Sequence, residues 1–186
     1  MIGLRLPCAV LVSGLLVSGC GAERVTEPAP AARAAEPQTA ELGWREAYPP
    51  SGPQLRFHVD RLEVRPQGWS AQVAVENATP VTFELGTRPL ELRFGLMLFA
   101  SSSLDELEEA SREGTLPSLR RAVSIEPPPP DALRPGQTWH ATLSAPGSLA
   151  DGSFVRVSFG TFVARGEPPP EMQPAVVWIT DKAYKL

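Results

Sequence analysis

From Leu55 onward the apolar residues recur at every second position, in short runs separated by proline or glycine. A half-buried strand has that period because successive side chains point to opposite faces of a sheet, whereas a helix repeats every three to four residues. Leu55, Phe57 and Val59 share one face, and the phase then slips so that Leu62 and Val64 continue it, which predicts a bulge near Asp60 and Arg61. Pro66, Gln67 and Gly68 turn the chain into a second strand carrying Trp69, Ala71, Val73 and Val75 and ending at Asn77. Val81, Phe83 and Leu85 predict a third strand, Leu90 to Leu98 a fourth and Val123 with Ile125 a fifth, closed by the prolines at 127–130, which can extend neither ladder nor helix. Trp139, Ala141 and Leu143, then Val155, Val157 and Phe159, and last residues 176–180 complete the series.

One segment breaks the period. Ser103 followed by Glu106 fits a capping box, Leu104 and Leu107 share one helical face, and Gly114 stands where the helix should stop. With no long crossover helices, seven or eight short strands and one inserted helix predict an all-β sandwich. Residues 55–180 resemble an immunoglobulin-like sandwich in strand number, in Asn77 ahead of Thr79 and Pro80, and in Leu133, Pro135, Gly136 and Thr138 opening a later strand. Leu149, Gly152 and Phe154 resemble that fold's tyrosine corner, although Phe154 lacks the hydroxyl and Arg156 stands where an inward residue is expected.

The other end of the chain bears on location. Arg5 is the only side-chain cation of a short leader, residues 6–17 are apolar, and Val17, Ser18 and Gly19 are small residues ahead of Cys20. This resembles a bacterial lipoprotein signal, which implies lipidation at Cys20, cleavage before it, and anchoring of the protein to a membrane of the cell envelope. Gly21 is not the aspartate associated with inner-membrane retention in some double-membrane bacteria, so the resemblance favours an outer membrane if the cell has one. The apolar run is shorter than the 18 or so residues a spanning helix needs. The division expected is a signal at 1–19, a lipidated cysteine and linker rich in Pro, Ala and Glu at 20–52, and the sandwich at 53–186, with Trp44 and Tyr48 packing back on the domain.

Charge and cysteine usage exclude several functions. Loss of the first nineteen residues removes Arg5 and no acid, moving the net charge from −4 to about −5, and no basic cluster exceeds Arg120 and Arg121. Nucleic acid is therefore not an expected partner, since its binding rests on basic patches. Cys8 leaves with the signal and Cys20 is the lipid site, so the domain is expected to hold together without disulfides.

Candidate chemistry is sparse. His58, Asp60 and His140 point away from the apolar faces, but a strand between the histidines would separate them by about 10 Å, too far for one ion. Neither a GxSxG elbow nor an SxxK motif occurs, so no catalytic residue, metal or cofactor is expected. Asp105, Glu106, Glu108, Glu109 and Glu113 read as a solvated helix face, with Glu108 four residues before Arg112. Asn77 reads as a turn residue, and Trp69 and Trp139 as core; Trp178 shares parity with Val176 while Val177 and Ile179 take the other face, which leaves its side undecided. The expectation is a lipid-anchored, non-catalytic sandwich that binds an envelope protein or wall component or serves as a structural accessory. The alternatives are a ligand-binding or inhibitor-like module using the end loops at 127–135 and 167–172, and an enzyme of unrecognised type. Replacing Cys20 by serine removes the thiol that forms the thioether, so Cys20→Ser is expected to incorporate no labelled fatty acid and to fractionate as soluble, because multiple acyl chains are what make membrane retention stable.

Overall fold

The computed structural model describes residues 33–85 and 93–186, and its regular structure is almost entirely antiparallel strand. β1 (Gln38–Tyr48), β2 (Gln54–Arg65) and β3 (Gly68–Ala78) form a meander, followed by β4 (Thr82–Leu85) and β5 (Gly95–Phe99). Helix α1 (Leu104–Glu113) comes next, then the short strands β6 (Arg120–Arg121), β7 (Ser124–Glu126) and β8 (Ala132–Leu133). The long strands β9 (Thr138–Pro146) and β10 (Phe154–Arg165), then β11 (Ala175–Ile179) and β12 (Tyr184–Lys185), finish the chain.

The first sheet has the order β1-β2-β3-β9-β7, and the second has β6-β5-β10-β4-β8. β11 and β12 also pair with β10, and since Phe154 and Val155 pair with β5 as well as with β12, these two strands lie along the opposite edge of β10. The sequence β2-β3-β9-β7 opposite β4 and β5, β10 and β11 follows the strand order of an immunoglobulin-like sandwich, to which β1 adds an outer edge. The expected bulge is present: the register of β2 on β3 shifts between Val59 and Arg61.

Pairing starts before the expected boundary at residue 53. β1 runs antiparallel to β2 from Gln38, Ala34 forms a bridge with Ala150, and the compact unit extends over Ala32–Leu186. A register shift between Glu41 and Trp44, with Gly43 at φ 57°, breaks the alternation of β1, and its outer positions are charged, so the segment reads as linker in the sequence. As expected, Trp44 is buried in the core and Tyr48 packs against it. The signal, Cys8 and Cys20 fall in residues 1–32, and Leu90 and Leu92 of the expected fourth strand in residues 86–92; both segments lie outside the described residues.

The inner faces of the sheets meet through aromatic rings. Phe57 of β2 lies 5.2 Å from Phe159 of β10, and Phe94 sits edge-on to Trp139 of β9 at 5.3 Å, arrangements favoured by the ring quadrupole. The Trp139 indole N–H donates to the carbonyl of Pro127, which fixes the proline segment against β9. Asn77 is more than a turn residue. It is fully buried at the end of β3, its amide donates to Val81 and Leu133 carbonyls at 2.7 and 2.9 Å, and its oxygen accepts from the Thr79 N–H and hydroxyl. All of its side-chain polar capacity is thus used to tie the end of β3 to the turn before β4 and to β8.

Trp139→Ala is expected to lose about 3–5 kcal/mol in a denaturant titration, because it empties a large site between the sheets and orphans the Pro127 carbonyl. His140, on the exposed face of the same strand, should tolerate alanine within about 0.5 kcal/mol.

Candidate functional site

On β10 the inward residues are Val155, Val157 and Phe159, so Arg156 belongs to the outer face, where a charged side chain normally meets water. It is nevertheless fully buried. Its Nη1 donates to the carbonyls of Thr180 (2.8 Å) and Asp181, and its Nη2 to those of Ser102 (2.9 Å) and Ser103 (3.1 Å), while the Phe99 ring lies 5.4 Å from Cζ. Nε has no partner. Burial pulls the guanidinium pKa down, opposed by the negative charges of Asp181 and Glu46. Carbonyl acceptors rather than a carboxylate hold this cation, and they come from the two segments that flank β10 on its outer side.

One of those segments begins α1. Ser103 is the N-cap, accepting from the Glu106 N–H at 3.3 Å, while the Glu106 carboxylate accepts from the Ser101 hydroxyl; the left-handed Gly114 ends the helix as the sequence predicts. Leu107 is its buried residue. The other segment ends β11. Trp178 faces inward, stacked on Phe57 at 5.6 Å and near Tyr48 at 5.9 Å, which settles its parity and places Val177 and Ile179 outside.

Glu46 of β1 joins the two sheets across this side of the sandwich. Its carboxylate accepts from the Trp178 indole N–H at 2.9 Å and from the backbone N–H groups of Asp181 and Lys182 at 2.9 and 3.0 Å. The Tyr184 hydroxyl adds a second link to Gln38.

Between α1, β11 and the end of β1 lies a groove of about 610 Å³. Leu107, Glu108 and Arg112 form one wall, Tyr48 and Pro50 the other, and Val177 and Ile179 the floor, with Asp181 at the end where β11 finishes. Glu108 thus borders a concave apolar surface instead of lying on a plain solvated face, and Glu108 and Arg112 both line the groove. The Asp181 carboxyl is held above its ordinary range by desolvation, then by the charges of Glu46 and Glu108, with Arg156 acting the other way.

The remaining sequence candidates are placed separately. His58, Ala74 and His140 occupy one row across β2, β3 and β9, so a whole strand separates the histidines as expected. The pKa of His58 is lowered, first by burial and then by Arg45. Asp60 pairs with Arg45 at 2.7 Å. Among the described residues, no group of three or more His, Cys, Asp or Glu side chains is placed to hold a metal ion. Trp69 and Trp139 are both core residues. The proline segment rests on Trp139, and Met172 of the other end loop is buried.

The groove itself is not legible from the sequence. Its one available signal is the uninterrupted apolar run at 175–179, which has no polar face to offer water. Glu46→Ala is expected to lower stability by about 1–2 kcal/mol, because three donors lose a charged acceptor while two of them regain water, and to shift the fluorescence of Trp178 as its ring is freed. No family model, curated protein or solved structure matches this chain.

Proposed function

We propose that the protein is a lipid-anchored, non-catalytic interaction domain of the bacterial cell envelope, held at the membrane through Cys20 and binding a partner protein in the groove between α1 and β11. The groove carries this reading: it combines an apolar floor at Val177 and Ile179 with charged residues at Glu108, Arg112 and Asp181. A contact surface of apolar centre and charged rim is the usual composition of a protein interface. The anchor rests on the lipobox resemblance of residues 1–20, and Gly21 favours the outer membrane in a double-membrane cell.

The end-loop alternative has less support, since the proline segment is used internally by Trp139 and Met172 is buried. Site-specific photo-crosslinking in the producing cell tests the interaction reading. A benzophenone side chain at Ser111, in the groove, is expected to give a discrete protein adduct that is lost in Cys20→Ser, and the same probe at Gln72, on the outer face of the first sheet, is expected to give none. Equal labelling at both positions, or none at either, overturns it.

A further inference from the structure

Edge strands offer unpaired backbone groups, and proteins blunt them with shortness, charge, proline or bulges. The edges of this domain are treated unequally. β6 and β8 have two residues each and β7 three, with Pro127 directly after it. β1 is long but carries Glu41, Arg45 and Glu46 and a register shift. β11 has five residues, none charged and none proline, and its only pairing partner is β10.

The ladder also fixes which groups are available. The Thr180 N–H donates to the Val157 carbonyl, so the pair 178–159, two residues along, is also of the bonded kind. Val177 and Ile179 occupy the alternate positions, and their N–H and C=O groups point away from β10 along the open edge of the sheet. Their side chains lie on the floor of the groove, beside Leu107 and the carboxylates of Glu108 and Asp181.

We propose that β11 accepts an extended segment of a partner protein as an added strand, with a lysine or arginine of that segment beside Glu108 and Asp181 and an apolar residue two positions away against Leu107 and Val177. This rests on the interaction reading above and specifies its mode. Strand addition supplies main-chain hydrogen bonds for affinity, and alternate side chains supply specificity. Of the three charged residues that line the groove, two are carboxylates, and behind them Glu46 and Arg156, of opposite sign, both adjoin Asp181, so a surplus of one negative charge favours a cation in the incoming segment.

The test uses the full-length lipidated protein in detergent micelles, panned against a phage-displayed library of random linear peptides. Enriched peptides are expected to alternate apolar residues with lysine or arginine, and the strongest, once synthesised, to slow amide exchange at Val177 and Ile179. Val177→Pro removes an outward N–H at an edge position that proline tolerates, and is expected to abolish peptide binding. Glu108→Gln with Asp181→Asn is expected to weaken it about tenfold and to flatten its salt dependence. If Val177→Pro fails to fold, the exchange pattern and the charge variant decide. Absence of enriched peptides, protection confined to other strands, unchanged binding by a folded Val177→Pro, or dimers that protect 177 and 179 without peptide would each overturn strand addition. A groove adduct at Ser111 alongside any of these leaves the interaction reading standing and removes only this mode; a missing adduct removes the reading itself.

Discussion

The buried guanidinium of Arg156 determines the shape of the outer surface of the second sheet. Taking a cation out of water costs several kcal/mol unless its donors are satisfied, and here four carbonyl contacts engage both terminal nitrogens, leaving only Nε without a partner. Two come from the turn that starts α1 and two from the segment that leaves β11. The helix wall of the groove and the strand that forms its floor therefore converge on one side chain of β10. Without it, nothing polar would draw the 102–103 and 180–181 segments toward each other over that strand, and the helix would rest on the single buried contact of Leu107. Glu46 completes the arrangement from the first sheet by receiving the N–H groups of Asp181 and Lys182, so the same short segment is held by its carbonyls on one side and by its amides on the other.

Much of the fold is legible wherever burial is one-sided. The phase slip after Val59 marks the bulge, Ser103 and Gly114 mark both ends of α1, and the alternation around Trp69 and Trp139 gives the inner faces of β3 and β9. β1 is missed because it is an edge strand, half of whose positions face water or the neighbouring edge, and its register shift cancels the period before it is long enough to register. Asn77 shows the opposite case. Its position before Thr79 and Pro80 is recognisable as a turn signal, yet its burial and its amide contact to Leu133 depend on a strand distant in sequence.

The candidate site is less legible, for a physical reason. A strand whose outer residues line a groove loses the apolar and polar alternation that reveals strands, so Ala175–Ile179 reads as an apolar run without a side, and Arg156, which stands in sequence where an inward residue is expected, is on the outer face of β10 and yet among the most buried residues. The acidic positions of α1 carry a similar ambiguity. Asp105 and Glu106 are explained by the first turn of the helix, whereas Glu108 looks the same in sequence and borders the groove only because Asp181 is brought opposite.

An uncharged free edge is a hazard for any β protein, and the surroundings of β11 limit it without covering it. Self-association would bring two acidic chains together, each with a net charge of −4 over the whole sequence, and long-range repulsion disfavours that encounter. Glu46, Glu108 and Asp181 concentrate the same sign of charge near the end of the strand, where Asp181 already bears enough desolvation and repulsion to raise its pKa. A segment carrying a cation relieves that repulsion, while a second copy of the domain increases the total charge that must be brought together. The edge is thus protected by selectivity rather than by occlusion: its backbone groups remain open, and the field around them decides which extended chains approach.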